Sequence, residues 1–340
     1  MIRDAIAALV SGRSLTSVDA ATAMWEVMEG AATPAQIAAF ITALRMKGET
    51  ADELAGFAGA MLSHAVRIDP GAELDTCGTG GDGSRSFNIS TAAALVCAGA
   101  GVRVAKHGNR AMSSNCGSAD VLEALGVRID MEPSMVEQCI REVGIGFMFA
   151  PKFHPAMKHA AGPRREIGVR TVFNILGPLC NPAGARSQLL GVADDGLVST
   201  MADVLVRLGI RRAMVVHGED GLDELTLAGE TTVCEISNGH VDWYTVAPED
   251  LGLQRAGGER LYGGTAAENA SLLKAVLSGE RGPRRDVVIL NAGAALAVSG
   301  AAVDLAHGVR LAEEVIDSGR AMSRLEALAA FCRSHEEVAA

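Results

Sequence analysis

The first part of the chain is a series of apolar runs with matching polar boundaries. Thr16, Thr33 and Thr50 each stand three residues before an acid or amide, Asp19, Gln36 and Glu53. That spacing lets two side chains satisfy the free N–H groups of a first helical turn. Pro34 occupies a tolerated first helical position, and Gly30 and Gly48 close their runs as C-terminal stops. The pattern predicts a small all-helical unit up to about His64. From about Ala65, short β-rich runs alternate with Ala-rich ones. Val102 to Ala105, Ala213 to His217 and Asp286 to Leu290 read as buried strands. The stretches after Ser90, from Leu197 to Leu208 and from Ala266 to Leu277 read as helices. Such alternation predicts an α/β sheet with sites at the C-terminal ends of its strands. A cluster of Gly, Pro and Asn from Leu176 marks a domain connection.

Composition narrows the function classes. The 340 residues carry a formal net charge of −11 and are 49% hydrophobic. This profile fits a soluble globular chain of about two domains and argues against wholesale nucleic-acid binding. No secretory or membrane-spanning run is expected, because the longest apolar stretches contain Gly, Ser or Asp. Seven cysteines with no CxxC suggest neither a disulfide framework nor a zinc ribbon, and a reducing cytoplasm fits best. The charge is unevenly spread. Gly83 to Ala119 contains no acid but holds Arg85, Arg103, Lys106 and Arg110, so that window is +4 and the remainder −15. An anion site in an acidic protein is the sharper reading of this asymmetry.

The window begins at a glycine loop, Gly78 to Gly83, placed between a short strand-like segment and a helix start. Gly78, Gly80 and Gly83 match the dinucleotide fingerprint, but no acid follows about 20 residues later. Ser84 stands where a P-loop needs lysine. Asn88, Ser90 and Thr91 come next, more capping side chains than one helix end uses, and a helix N-terminus of this kind cradles phosphate. Lys106, His107, Gly108, Asn109 and Arg110 follow a predicted strand, with Lys106 as a mobile point charge and Arg110 as a bidentate fork. Ser113, Ser114 and Ser118 add hydroxyls. Four polar segments in about 40 residues favour a multiply charged phosphate ligand. Asp223 and Glu224 supply adjacent carboxylates suited to a hard cation.

Together the segments GTGGD, NIST and KHGNR, the pair Asp223-Glu224, and the runs beginning at Gly146, His154 and Arg164 resemble the anthranilate phosphoribosyltransferase family. The resemblance covers nearly the whole chain in order. It implies a pentosyltransferase of tryptophan biosynthesis that moves phosphoribosyl from 5-phosphoribosyl 1-diphosphate to the anthranilate amine and releases pyrophosphate. The implied fold is α/β, of the nucleoside phosphorylase/phosphoribosyltransferase type. A small helical domain (1–66, joined by about 165–188) accompanies a large α/β domain (67–164 and 189–340) with a central, mostly parallel sheet. By the same resemblance, Gly78, Gly81, Asp82, Ser86, Asn88, Ile89, Ser90, Thr91 and Lys106 hold the diphosphate and ribose. His107, Gly108, Asn109, Arg110, Ser113, Ser114 and Ser118 complete that set. Gly78, Asn109 and Arg164 meet anthranilate, with His107, His154, Lys158 and Gly177 nearby. Ser90, Asp223 and Glu224 hold Mg2+, two ions per subunit. The expected assembly is a homodimer through the helical domain, without nucleic acid or membrane.

No general base is identified, and no cysteine is assigned as a nucleophile, because the arylamine is already neutral and nucleophilic. Ser86 stands where the family pattern has Thr, and both carry a hydroxyl. Two rivals remain. A pyrimidine-nucleoside phosphorylase of the same fold would pair the glycine loop with a lysine- and serine-rich pattern. A non-catalytic paralogue that binds nucleic acid would show a basic groove.

Overall fold

The computed structural model describes residues 1–111 and 115–335. The chain opens with four helices, α1 (Ile2–Val10), α2 (Ser17–Met28), α3 (Pro34–Lys47) and α4 (Ala51–Ser63). The side chains of Thr16, Thr33 and Thr50 accept from the backbone N–H three residues on, as the spacing predicts. The reciprocal bond forms only at Thr33 and Thr50. Asp19 instead takes the Thr16 hydroxyl proton at 2.7 Å.

The second part runs β1 (Leu74–Gly78), α5 (Ile89–Gly99), β2 (Val104–Gly108), α6 (Ser118–Ala124), α7 (Pro133–Val143), β3 (Ile145–Phe149) and α8 (Ala150–Phe153). Then come α9 (Lys158–Ile167), α10 (Val172–Leu176), β4 (Ser187–Gly191), α11 (Gly196–Arg207), β5 (Arg212–Gly218), β6 (Thr231–Ser237) and β7 (His240–Val246). Four helices finish the described chain, α12 (Ala266–Leu277), α13 (Pro283–Ser299), α14 (Leu305–Asp317) and α15 (Arg320–Ser334).

The seven strands form one sheet in the order β3-β2-β1-β4-β5-β6-β7. The first five pair in parallel; β6 and β7 add an antiparallel hairpin, turning at Asn238 and Gly239 with φ of +50° and +86°. The chain winds outward from β1 through β2 to β3, then crosses back to β4 on the other side of β1 and winds outward to β5. The C-terminal ends of β1 and β4 are therefore the switch point where such sheets bind ligands.

Two buried clusters cover the faces. One joins α5, α12, α13, α14 and α15 to the sheet. The other unites α1–α4 with Ala160, Val172, Phe173, Ile175 and Leu176, and continues onto Leu190, Val192 and Val215 of the opposite sheet face. Thus α9 and α10, which lie in sequence between β3 and β4, pack against the N-terminal helices.

Two expectations need correction. Residues 286–290 are helical, inside α13, where every residue from Val287 to Val298 is buried. Their apolar, β-branched run comes from a helix enclosed on all sides, a setting in which burial overrides propensity. The strand expected at 102–105 is displaced to Val104–Gly108, so Lys106, His107 and Gly108 belong to β2 itself.

Candidate active site

The glycine loop leaves β1 with left-handed backbone at Gly80, Gly81, Gly83 and Arg85, whose φ angles are 66°, 73°, 70° and 57°. Gly81 is required by its left-handed backbone, and the space a Cβ would take there is filled by the Arg170 guanidinium. Arg170 also donates to Thr79 O at 3.3 Å. At Gly78 the constraint is close approach: a Cβ would strike the Asp223 carboxylate. That packing, with Gly80 N donating to Asp223 Oδ2 at 2.7 Å, brings Asp223 to the loop across 143 residues of sequence.

Three acids meet there. Burial first, then the charges of Asp82 and Glu224, push the Asp223 carboxyl well above the usual range. Glu224 is pushed up to about 8 by burial, against the pull of Lys106. It accepts a hydrogen bond from the Ser90 backbone N–H, at the positive end of α5. Asp82 Oδ2 is buried without a partner. Among the described residues no three His, Cys, Asp or Glu side chains form a complete metal cage. Such a partial oxygen set fits Mg2+, which characteristically takes one or two carboxylates and leaves its other positions to water and substrate phosphates. Asp223, Glu224 and the Ser90 hydroxyl are the residues that could hold such an ion.

Lys106 is not the mobile charge that the sequence suggests. It is 3% exposed on β2, and its Nζ donates to Thr76 O at 2.7 Å and to Ser90 Oγ at 3.3 Å. The +4 window is likewise partly neutralised by acids just outside it. Arg103 pairs with Glu73, and Arg110 with Asp120 and Glu123. Arg110 therefore points into carboxylates and lines a cavity of about 390 Å³ with Phe149 and Arg333, away from the role of phosphate fork.

The start of α5 sorts its residues. Asn88 makes no side-chain cap, and Thr91 Oγ1 is buried with no partner. Ile89 offers little to a ligand: its side chain is in the core and its N–H is spent on Phe87 O at 2.7 Å. Ser86 sits on the loop and takes a hydroxyl contact from Ser84 at 3.1 Å. Gly108 ends β2; Asn109 is exposed, and its carbonyl accepts from the Ser118 hydroxyl at 3.4 Å. Ser113 and Ser114 lie outside the described residues.

The residues expected to meet the acceptor range from buried His107 and His154 through half-buried Arg164 to exposed Lys158. Burial alone lowers the Arg164 pKa, and no carboxylate counters it; its guanidinium lies 5.1 Å from the Phe173 ring. A desolvated cation with no anion among the described residues can pair with a carboxylate bidentately. The rings of His107 and His154 lie 5.1 Å apart. Burial pushes His107 down to about 3 and lowers His154, so both are neutral, and His107 Nε2 is buried without a partner. Gly177 contacts His107 through its backbone. Lys158 is exposed and lies roughly 240° around α9 from Arg164, so the two do not share a face.

Sequence reasoning missed the supports. Arg170 was visible only as one more cation in a motif. Asp75, 1% exposed, accepts from Asn181 Nδ2 at 2.7 Å and from His107 N at 3.4 Å. Asn181 also donates to Ala105 O at 2.9 Å, binding the segment that returns from α10 to β1 and β2. Nothing local in the sequence signals these contacts.

The glycosyl transferase family's helical bundle domain matches residues 3–65, and its a/b domain matches residues 71–322. Anthranilate phosphoribosyltransferase of Chloroflexus aggregans is 59% identical over 335 residues, 98% of each chain. The crystal structure of the Thermus thermophilus enzyme of that name superposes with a TM-score of 0.91 at 48% identity, covering 97% of this chain and 99% of that one. The Saccharomyces cerevisiae enzyme, solved in complex with PRPP and Mg, gives 0.89 at 30% identity and covers 98% of both chains. The chain belongs to the anthranilate phosphoribosyltransferase family.

Proposed function

We propose that this protein transfers the phosphoribosyl group of 5-phosphoribosyl 1-diphosphate to the amino group of anthranilate, the phosphoribosyl-transfer step of tryptophan biosynthesis. The observation that carries this reading is the meeting of an under-satisfied acid group, a glycine loop and a helix N-terminus, with an unpaired half-buried arginine on the acceptor side. In the reaction the amine nitrogen bonds to ribose C1, and the C1–O bond to diphosphate breaks. Pyrophosphate leaves with the electron pair, and the amine loses one proton.

At the start of α5 the Ser90 hydroxyl is the group read as meeting the leaving diphosphate, since the Ile89 and Ser90 N–H groups are spent on Phe87 and Glu224 and the Thr91 hydroxyl is buried. Buried Lys106 adds a fixed positive charge that needs no reorganisation as negative charge develops. Asp223, Glu224 and the Ser90 hydroxyl would hold Mg2+, taken as two ions per subunit, which would supply charge neutralisation for the leaving group. Arg164 orients anthranilate by its carboxylate, and orientation of this kind replaces lost entropy with geometry. We assign no general base.

The same reading takes the chain as a homodimer through a helical domain of residues 1–66 and 165–188, working in the cytoplasm without nucleic acid or membrane. Among the described residues no helix is long and apolar enough to cross a membrane. A nucleoside phosphorylase reading has no use for Arg164. The test is the loss of anthranilate fluorescence on mixing with 5-phosphoribosyl 1-diphosphate. Turnover should require both the diphosphate and Mg2+. Absence of turnover with all components present would return the phosphorylase to consideration.

A further inference from the structure

Asn88 is read above as a contact to the diphosphate, yet most of its amide is already engaged. Its Oδ1 accepts from Asn269 Nδ2 at 3.0 Å and from Cys116 Sγ at 3.5 Å, and its Nδ2 donates to Cys116 O at 3.2 Å. The Asn269 donor on the oxygen and the Cys116 carbonyl on the nitrogen leave a single orientation for this amide, whichever of Asn88 Oδ1 and Gly117 O takes the one thiol proton. The residue that decides it is Asn269 of α12, 181 positions away and 2% exposed.

Asn269 is itself fixed. Its Oδ1 accepts from Gly264 N at 2.7 Å, so its Nδ2 is the end directed at Asn88. Gly264 ends a short strip that lies along the glycine loop. Phe87 N donates to Leu261 O at 2.9 Å, Gly263 N donates to Arg85 O at 2.9 Å, and Ser86 and Tyr262 form an isolated antiparallel bridge. Gly263 admits no side chain, because a Cβ would be pressed against Asn269 and the Phe87 backbone. The strip therefore holds Arg85, at its φ of +57°, in place, and Asn269 pins both the strip and Asn88.

We infer that Asn269 is a positioning residue of the diphosphate site: it sets the Asn88 amide and joins the Leu261–Gly264 strip to the glycine loop. The inference rests on the reading of Asn88 as a ligand contact. A group that holds a ligand works only as well as the partner that orients it.

The experiment measures the Kd of 5-phosphoribosyl 1-diphosphate with Mg2+ by calorimetry, and KM for both substrates, in N269A, N269D, N88A and the double variant N88A/N269A. Thermal melting of each variant confirms folding. N269D keeps the acceptor for Gly264 N and the side-chain size but removes the donor to Asn88, so it carries the test if N269A does not fold. Both Asn269 variants should weaken diphosphate binding about tenfold, the scale expected when an orienting hydrogen bond is lost. The anthranilate KM should stay within about twofold, and the double variant should bind no worse than N88A. A merely structural Asn269 would lower the melting temperature and move both KM values together, additively with N88A, which overturns the inference. So does parental diphosphate affinity in N269D. If N88A binds the diphosphate as the parent does, the reading of Asn88 has failed, and the inference falls with it.

Discussion

Two groups of buried acids are treated in opposite ways. In the helical bundle Glu53 is 0% exposed and fully partnered. It accepts from Leu15 N, Lys47 Nζ and Thr50 N, each at 2.9 Å, and from Thr50 Oγ1 at 3.1 Å. At the ends of the strands, Asp82, Asp223 and Glu224 crowd together with fewer donors than their oxygens accept. Burial of a carboxylate is tolerable only when paired. The satisfied acid is a fastening, and the deficient set is a site whose missing partners arrive with the ligand.

The sharpest way to break this comparison is to neutralise each set. Changing Asp223→Asn together with Glu224→Gln should lower Mg2+-dependent turnover by about a thousandfold. The melting temperature without Mg2+ should hold or rise, because like-charge crowding is removed. A large fall in melting temperature would make these acids structural. Glu53→Ala should do the reverse. It strands the buried Lys47 and should cost about 3–5 kcal/mol in denaturant unfolding, while turnover per folded molecule is unchanged.

The cations extend the contrast, since Lys47 has its acid and Arg164 has none among the described residues. Arg164→Ala should raise the anthranilate KM roughly 10- to 100-fold, the worth of a charged hydrogen bond, and leave diphosphate binding within about twofold. An unchanged anthranilate KM would remove Arg164 from the acceptor site. The smallest effect, taken over a single pH unit, is acid sensitivity. The folded pKa of His107 lies at about 3, below the unfolded value near 6.5, so only the unfolded chain takes up the proton between them. Stability should be complete above about pH 6.5 and fall by about 1.4 kcal/mol per pH unit below it. His154 adds in the same direction. His107→Asn should flatten that slope in urea titrations.

Legibility followed the range of the interactions. Thr33 and Thr50 announced their helices because a capping box is complete within four residues. The glycine loop and the start of α5 were legible for the same reason, as adjacent residues signal a turn and a helix start. The pair Asp223-Glu224 was recognised from its motif, but its approach to Gly78 and Gly80 was not, because 143 residues intervene. Arg170, Asn181 and Asn269 are ordinary polar residues until the fold brings their partners to them. The reading of 286–290 as a strand failed on different grounds: a fully enclosed helix has no polar face, so its apolar run carries no period to read.

The placement of α9 and α10 on the N-terminal helices has a consequence for biogenesis. Their residues complete the bundle core through Ala160, Val172, Phe173 and Leu176. During translation the first four helices emerge about 110 residues ahead of that cover, a delay of roughly 5–20 s at ribosomal speed. Over that interval the nascent bundle shows bare apolar surface, the kind that chaperones bind. It cannot seal until the first three sheet strands have also left the ribosome, which ties maturation of the two regions into a single late event.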